Sequence, residues 1–338
     1  MPTTPTPPAP AAAFFDASLD AWMLSRYADV LAAFRDPRLW TTTIGGKDQT
    51  DGRDDSGKLA ARGEMLEALS HPRVTEWQTH FETIAARTLA LLPHDRPVDL
   101  LGEFSQPCCL RLAVMVTGVD PADASRLGQL GSAAFSGTGA VHGSEAQASA
   151  AAATAELNRY FEGAPFRMGE PTFVGISQTM ARLLASGWLA LLDHPEECRR
   201  LRDRPELMPG AVEELLRYAG IVPTLYRRAH APVDIGSAHI EEGQRVFLMI
   251  ASANRDPEQF PDPNRLDIAR RAVNQLALGT GRNSCVGNLV IRMASAVTTG
   301  VLLRAFPRAQ LVGGMPWESS ASFSWPARVP VMLAGLPR

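Results

Sequence analysis

A twelve-residue run, Leu276-Ala-Leu-Gly-Thr-Gly-Arg-Asn-Ser-Cys-Val-Gly287, narrows the folds open to this chain more than any other segment. Gly279 and Gly281 permit positive φ and let the backbone approach a bulky ligand closely. Gly287 leaves room directly behind Cys285. Downstream, Leu289, Val290, Met293, Ala294, Val297, Leu302 and Leu303 recur at helical spacing, which predicts a buried helix beginning near Asn288. The run therefore delivers one thiol to a helix N-terminus, where the dipole and free N–H groups favour a thiolate. A packed core thiol is the competing reading for a lone cysteine. The flanking glycines speak against it.

The chain has 338 residues, enough for one large domain or two ordinary ones. Its 45% hydrophobic and 20% charged residues are those of a soluble globular protein. A net charge of −3 implies no general attraction to nucleic acid or to an anionic membrane. Residues 1–13 are Pro, Thr and Ala with no charge, and are expected as a flexible tail, neither signal peptide nor anchor. Residues 14–338 are expected to form one unit, mainly α with a small β portion (α+β). A cytoplasmic location follows by default. The four cysteines contain no CxxC pair, so neither zinc nor an iron–sulfur cluster is suggested. Cys108, Cys109 and Cys198 read as structural.

Along the chain, Trp22–Leu39 predicts a strand, a turn and a helix ending before Pro37, and Thr41–Ser56 a loop. Lys58–Leu92 is helical with a break at His71-Pro72. Val98–Val119 reads as a buried helix closing on Gly118, and Ala122–Gly163 as alanine-rich helix, with His142 in an exposed loop. A central helix is expected over Thr172–Leu192, short strands over Ile221–Ile250, and a final hairpin over Trp325–Leu336. Lys58 and Arg62 share one helix face, so both can point at a single anion or simply be solvated. Glu214 and Arg217 also share a face, and a surface ion pair there would be worth little.

The glycine-rich run resembles the haem-binding signature of the cytochrome P-450 family, Phe-Gly-x-Gly-x-His/Arg-x-Cys-x-Gly, with Leu278 at the phenylalanine position and Asn283 at the His/Arg position. Four more segments are similar to family motifs. Ala253-Asn-Arg-Asp-Pro257 repeats one word for word, and Glu214-x-x-Arg217 matches another. Arg227-Arg-Ala229 fits Arg-x-Ala, and Phe260–Asp267 carries Arg265 at the family's arginine position. The resemblance spans Trp22 to Leu336 and is strongest from Leu189 onward.

The resemblance implies a P-450-like fold shortened at the N-terminus and before the central helix, where Gly163–Pro171 stands in for two helices. It implies haem b (iron protoporphyrin IX) as cofactor, with Cys285 as the iron ligand. Leu278, Gly279 and Asn283 would border the haem, and Arg62, Arg227 and Lys58 would face its propionates. Gly175-Ile-Ser-Gln-Thr179 falls on the motif above the iron, where Thr179 with Gln178 would order water or oxygen. Gln178 replaces an acid, and an amide cannot donate a proton and be recharged as a carboxyl group can. Gly175, Ile176, Pro223, Thr224, Leu225 and Phe323 would line the substrate pocket. Glu214, Arg217 and Arg265 would form a structural network.

The activity implied is a monooxygenase acting on a small organic molecule, free or held on a carrier protein, with electrons from a ferredoxin and its reductase. Neither nucleic acid nor membrane is an implied partner. Ile176, Gln178 and the short lid leave open peroxide-driven or non-oxygenating chemistry such as rearrangement or dehydration. A non-catalytic degenerate member is the third reading.

Overall fold

The computed structural model describes residues 5–41, 56–137, 144–162, 169–270, 274–281, 284–320 and 322–333. Helices dominate, as the periodicities require. They are α1 (Tyr27–Arg35), α2 (Ser56–Ala68), α3 (His71–Ala90), α4 (Gln106–Thr117), α5 (Ala124–Ser136), α6 (Glu145–Glu162), α7 (Glu170–Val174), α8 (Ala181–Leu192), α9 (Pro195–Asp203), α10 (Met208–Ala219), α11 (Ile250–Ala253) and α12 (Asn288–Ala305). The break expected at His71-Pro72 separates α2 from α3, with Pro72 in the first turn, where its missing N–H costs nothing. The stretch expected as one helix from Val98 opens instead as a short strand, β4 (Val98–Asp99), and a π-helical turn, Leu100–Ser105. It then closes on Gly118 at φ 70°, as the glycine predicted.

The strands form small sheets. In the largest, β1 (Phe14–Asp16), β2 (Ala21–Leu24), β8 (Arg245–Leu248), β5 (Leu225–Ala229) and β3 (Leu39–Thr41) lie in that order. β6 (Val233–Ile235) pairs with β7 (Ala238–Ile240), and β12 (Pro330–Met332) lies between β4 and β9 (Gln310–Leu311). The C-terminal hairpin starts earlier than expected: β10 (Trp317–Ser319) pairs with β11 (Ser324–Pro326), so Phe323 lies beside its tip. Residues 5–13 were expected as a tail, yet Pro7, Pro10 and Ala13 are partly buried between exposed neighbours. That spacing of three is the repeat of a polyproline II helix laid on the surface by one face. Ser25 Oγ fixes it, accepting from Ala11 N at 2.8 Å and donating to Ala11 O at 3.1 Å.

The main core gathers α3, α4, α8 and α12 around Phe81, Phe104, Leu112 and Trp188. α8 is buried on every side, which explains why its side chains are apolar apart from Arg182 and Ser186. The central helix runs through α7, a π-helical turn at Gly175–Met180, and α8. No described helix is long and apolar enough to cross a membrane.

Glu214 and Arg217 are not a surface pair. Both side chains are fully buried, and Arg217 Nε and Nη2 each lie 2.8 Å from a Glu214 oxygen. Arg265 is not the third member: it is exposed and offers only its backbone carbonyl. Arg270 takes that place, its Nε 3.1 Å from Glu214 Oε2. The turn at Asp262–Arg265 aims the Arg265 side chain outward, five residues before the chain returns. Replacing Glu214 by alanine leaves two guanidinium groups buried without their anion. The expected loss is about 3–5 kcal/mol of unfolding free energy, read by denaturant titration against a Glu214→Gln control that retains part of the hydrogen bonding.

Candidate active site

A cavity of ≈ 360 Å³ opens between the central helix and the glycine-rich run. Leu278, Gly279, Cys285 and Val286 form one wall, and Gly175, Ile176 and Thr179 line it from the central helix. Leu225 and Phe323 add the β5 strand and the hairpin tip. Gly279 and Gly281 take φ of 64° and 68°, the left-handed conformation that glycine permits. A side chain at Gly281 would also press on Phe34 O at 3.4 Å. Cys285 N donates to Leu278 O at 2.8 Å and Leu276 N to Asn254 Oδ1 at 2.8 Å, so both arms of the run are pinned. Cys285 stands just before α12, as expected. Its thiol is nevertheless pushed up by burial, which outweighs the Gly287 N–H and the Arg62 and Arg292 charges acting the other way.

Two cations flank the run without a carboxylate in ion-pair reach among the described residues. Arg62 Nη2 donates to Ser284 O at 2.5 Å and to Ser284 Oγ at 3.0 Å. Arg227 is 2% exposed, packs over the Phe34 ring, and leaves its buried Nε unpartnered. Burial lowers its pKa to about 10. Across the cavity, the π-turn splits the polar side chains of the central helix. Thr179 lines the cavity, whereas the Gln178 side chain faces α5 and α8. Its Oε1 accepts from Arg182 Nη1 at 3.1 Å, and its Nε2 points to Gly128 O at 3.5 Å.

Comparison with known proteins agrees with this geometry. The model of the family described as cytochrome P450 matches residues 191–326. The chain is 27% identical to cytochrome P450 107B1 of Saccharopolyspora erythraea, an alignment covering 93% of this chain and 89% of that one. It is 28% identical to the vitamin D(3) 25-hydroxylase of Pseudonocardia autotrophica, over 87% of this chain and 82% of the relative. Its fold superposes on that of P450BioI, solved with a fatty-acyl carrier protein, at a TM-score of 0.84 and 20% identity, over 93% of this chain and 92% of that one. In sequence over nearly its whole length, and in fold, the chain resembles cytochrome P450s.

Members of this family use haem b, and the residues present fit it. The cavity has a thiol on one wall, an apolar lining, and beside it a buried arginine, Arg227, whose orphaned Nε calls for an anion. Leu225, Arg227 and Ala229 share one face of β5, so the strand brings a cavity contact and this cation to the same side. Of the residues expected at a substrate pocket, Gly175, Ile176, Leu225 and Phe323 line the cavity. Pro223 and Thr224 do not. They line a neighbouring cavity of ≈ 160 Å³ under Pro5–Pro8, where the chain before β5 packs on α11 and Pro223 O accepts from Ala251 N at 3.1 Å. Gln178 is likewise outside the main cavity. The Lys58 side chain and Asn283 lie outside the described residues.

Sequence reasoning missed Met65 of α2, Leu69 just after it and Leu183 of α8 as cavity contacts. Only the spacing Ile176, Thr179, Leu183 hinted at the last. It also missed Arg182. Because Arg227 is a buried charge with no carboxylate beside it among the described residues, Arg227→Met should raise the melting temperature of the haem-free protein by a few degrees. The same change should weaken haem binding. Thermal melts and haem titration on one variant test both signs.

Proposed function

We propose that this protein is a monooxygenase for a small, largely apolar organic molecule seated between the π-turn, Leu225 and the hairpin tip. The observation that carries the reading is Cys285 lining, opposite Thr179, a cavity otherwise almost wholly apolar. Haem held by Cys285 supplies activation of dioxygen: one oxygen atom enters a C–H bond and the other leaves as water, with two electrons and two protons consumed. Arg227 and Arg62 would receive the propionates, the first already desolvated and the second tied to the cysteine loop through Ser284. Thr179 would hold a water or oxygen by its hydroxyl, and Ile176, Leu225 and Phe323 would orient the substrate and exclude water. The electrons would come from a ferredoxin and its reductase.

A second reading is supported by one feature, the uncharged Gln178 turned away from the cavity. Without an acid beside Thr179, proton supply from this position is reduced, which favours reaction with peroxide. Product formed with peroxide in the absence of dioxygen and donor would establish that route.

The purified protein, reduced and exposed to carbon monoxide, should show the strongly red-shifted Soret band of a thiolate-ligated haem. Cys285→Ser should lose that band while retaining the fold by circular dichroism. Retention of the band in the serine variant would refute the ligand assignment. Thr179→Ala should raise the share of donor electrons lost as hydrogen peroxide by severalfold, measured as peroxide formed per donor consumed.

A further inference from the structure

Arg182 is 9% exposed and has no carboxylate within ion-pair distance among the described residues. Its Nη1 donates to Gln178 O at 3.0 Å and to Gln178 Oε1 at 3.1 Å. Its guanidinium carbon lies 4.1 Å from the Phe135 ring centroid and 5.4 Å from that of Trp325, while Nε is buried without a partner. One side chain therefore joins the π-turn, α5 and the hairpin. Burying such a cation is costly, and two aromatic faces offset only part of that cost.

A guanidinium can only donate, so it fixes which end of the Gln178 amide faces it: the oxygen. The amide nitrogen is left with a long contact to Gly128 O. One helical turn earlier, at i−3, stands Gly175. A Cβ there would meet nothing within 4 Å, and Gly175 itself lines the cavity. Gln178 shares this π-helical turn with Gly175 and directly precedes Thr179, and both of those line the cavity. With open space beside Gly175, the Arg182 contact is what ties the Gln178 side chain down on the α5 side.

We propose that Arg182 is a positioning residue that restrains Gln178 outside the cavity, so that Thr179 alone presents a protonic side chain from the π-turn to whatever binds there. The restraint also keys α5 and the hairpin to that turn, since Phe135 touches both Phe323 and Trp325 at 5.3 Å between ring centroids. This inference rests on the haem assignment above.

Carbon monoxide on the reduced, haem-loaded protein is the probe, and the readout is the C–O stretching frequency, which falls when a hydrogen-bond donor reaches the ligand. Arg182→Met should release Gln178 and add a band at lower frequency. Arg182→Lys, which keeps a donor to Gln178, should retain the native band. The double variant Arg182→Met with Gln178→Leu should lose the new band, and Gln178→Leu alone should leave the native band unmoved. An unshifted band in a folded Arg182→Met variant would overturn the proposal, as would a shift in Gln178→Leu alone, which decides the matter if Arg182→Met does not fold. A protein that forms no carbon monoxide complex at all would instead defeat the haem assignment, and this inference with it.

Discussion

The buried carboxylate of Glu214 is the contact on which the cysteine-bearing wall depends. It is wholly removed from water, a state that costs several kcal/mol for an ion unless its oxygens are satisfied. Here they are: Arg217 binds both, Arg270 reaches both, and Asp267 N donates to Oε1 at 3.0 Å. Arg217 then extends outward from the pair to Asn254 O at 2.8 Å, and Asn254 Oδ1 accepts from Leu276 N. A continuous polar path thus leads from the core of α10 to the start of the cysteine run. Its members are fully paired, which is the condition under which a buried network makes one arrangement rigid.

That path explains why the Ala253–Pro257 segment matters although it touches no part of the cavity. Asn254 pins the cysteine run, and Asp256 Oδ2 accepts from Tyr27 N at 2.7 Å, which fixes the entry to α1. Arg255 stacks on Tyr218 and donates to Tyr218 O, closing the end of α10. α1 in turn places the Phe34 carbonyl against Gly281 and its ring beside Arg227. Three buried polar residues in a row therefore set the mutual positions of the thiol and the cation on the same wall.

What the sequence disclosed follows from the range of the interactions involved. Positive φ at Gly279 and Gly281, the stop at Gly118 and the break before Pro72 are decided within a few residues, so local chemistry sufficed. The choice between Arg265 and Arg270 is not local. Both lie on one irregular segment, and only its turn at Asp262, with φ 48°, decides which side chain returns to Glu214. Gln178 failed for a related reason: neighbours on a helix differ by about 100°, and a π-turn displaces the faces that follow it. Thr179 and Gln178 are adjacent in sequence yet turn to different neighbours, the cavity for one and α5 with Arg182 for the other. The proline-rich start misled because composition alone describes a free chain, whereas Ser25 and the threefold repeat make it a bound one.

Burial has opposite consequences for the two groups that would bracket a haem. It disfavours the anion of Cys285 and the cation of Arg227, so each is least comfortable in the charge state the cofactor needs. A bound iron would deprotonate a coordinating Cys285 thiol, and a propionate would give Arg227 an anion. The backbones of both are held in place, one by Leu278 O and the other by the β5 pairing. The protein has thus met part of the desolvation cost of the complex in folding. Cofactor affinity and fold stability would then be linked through the same few buried groups.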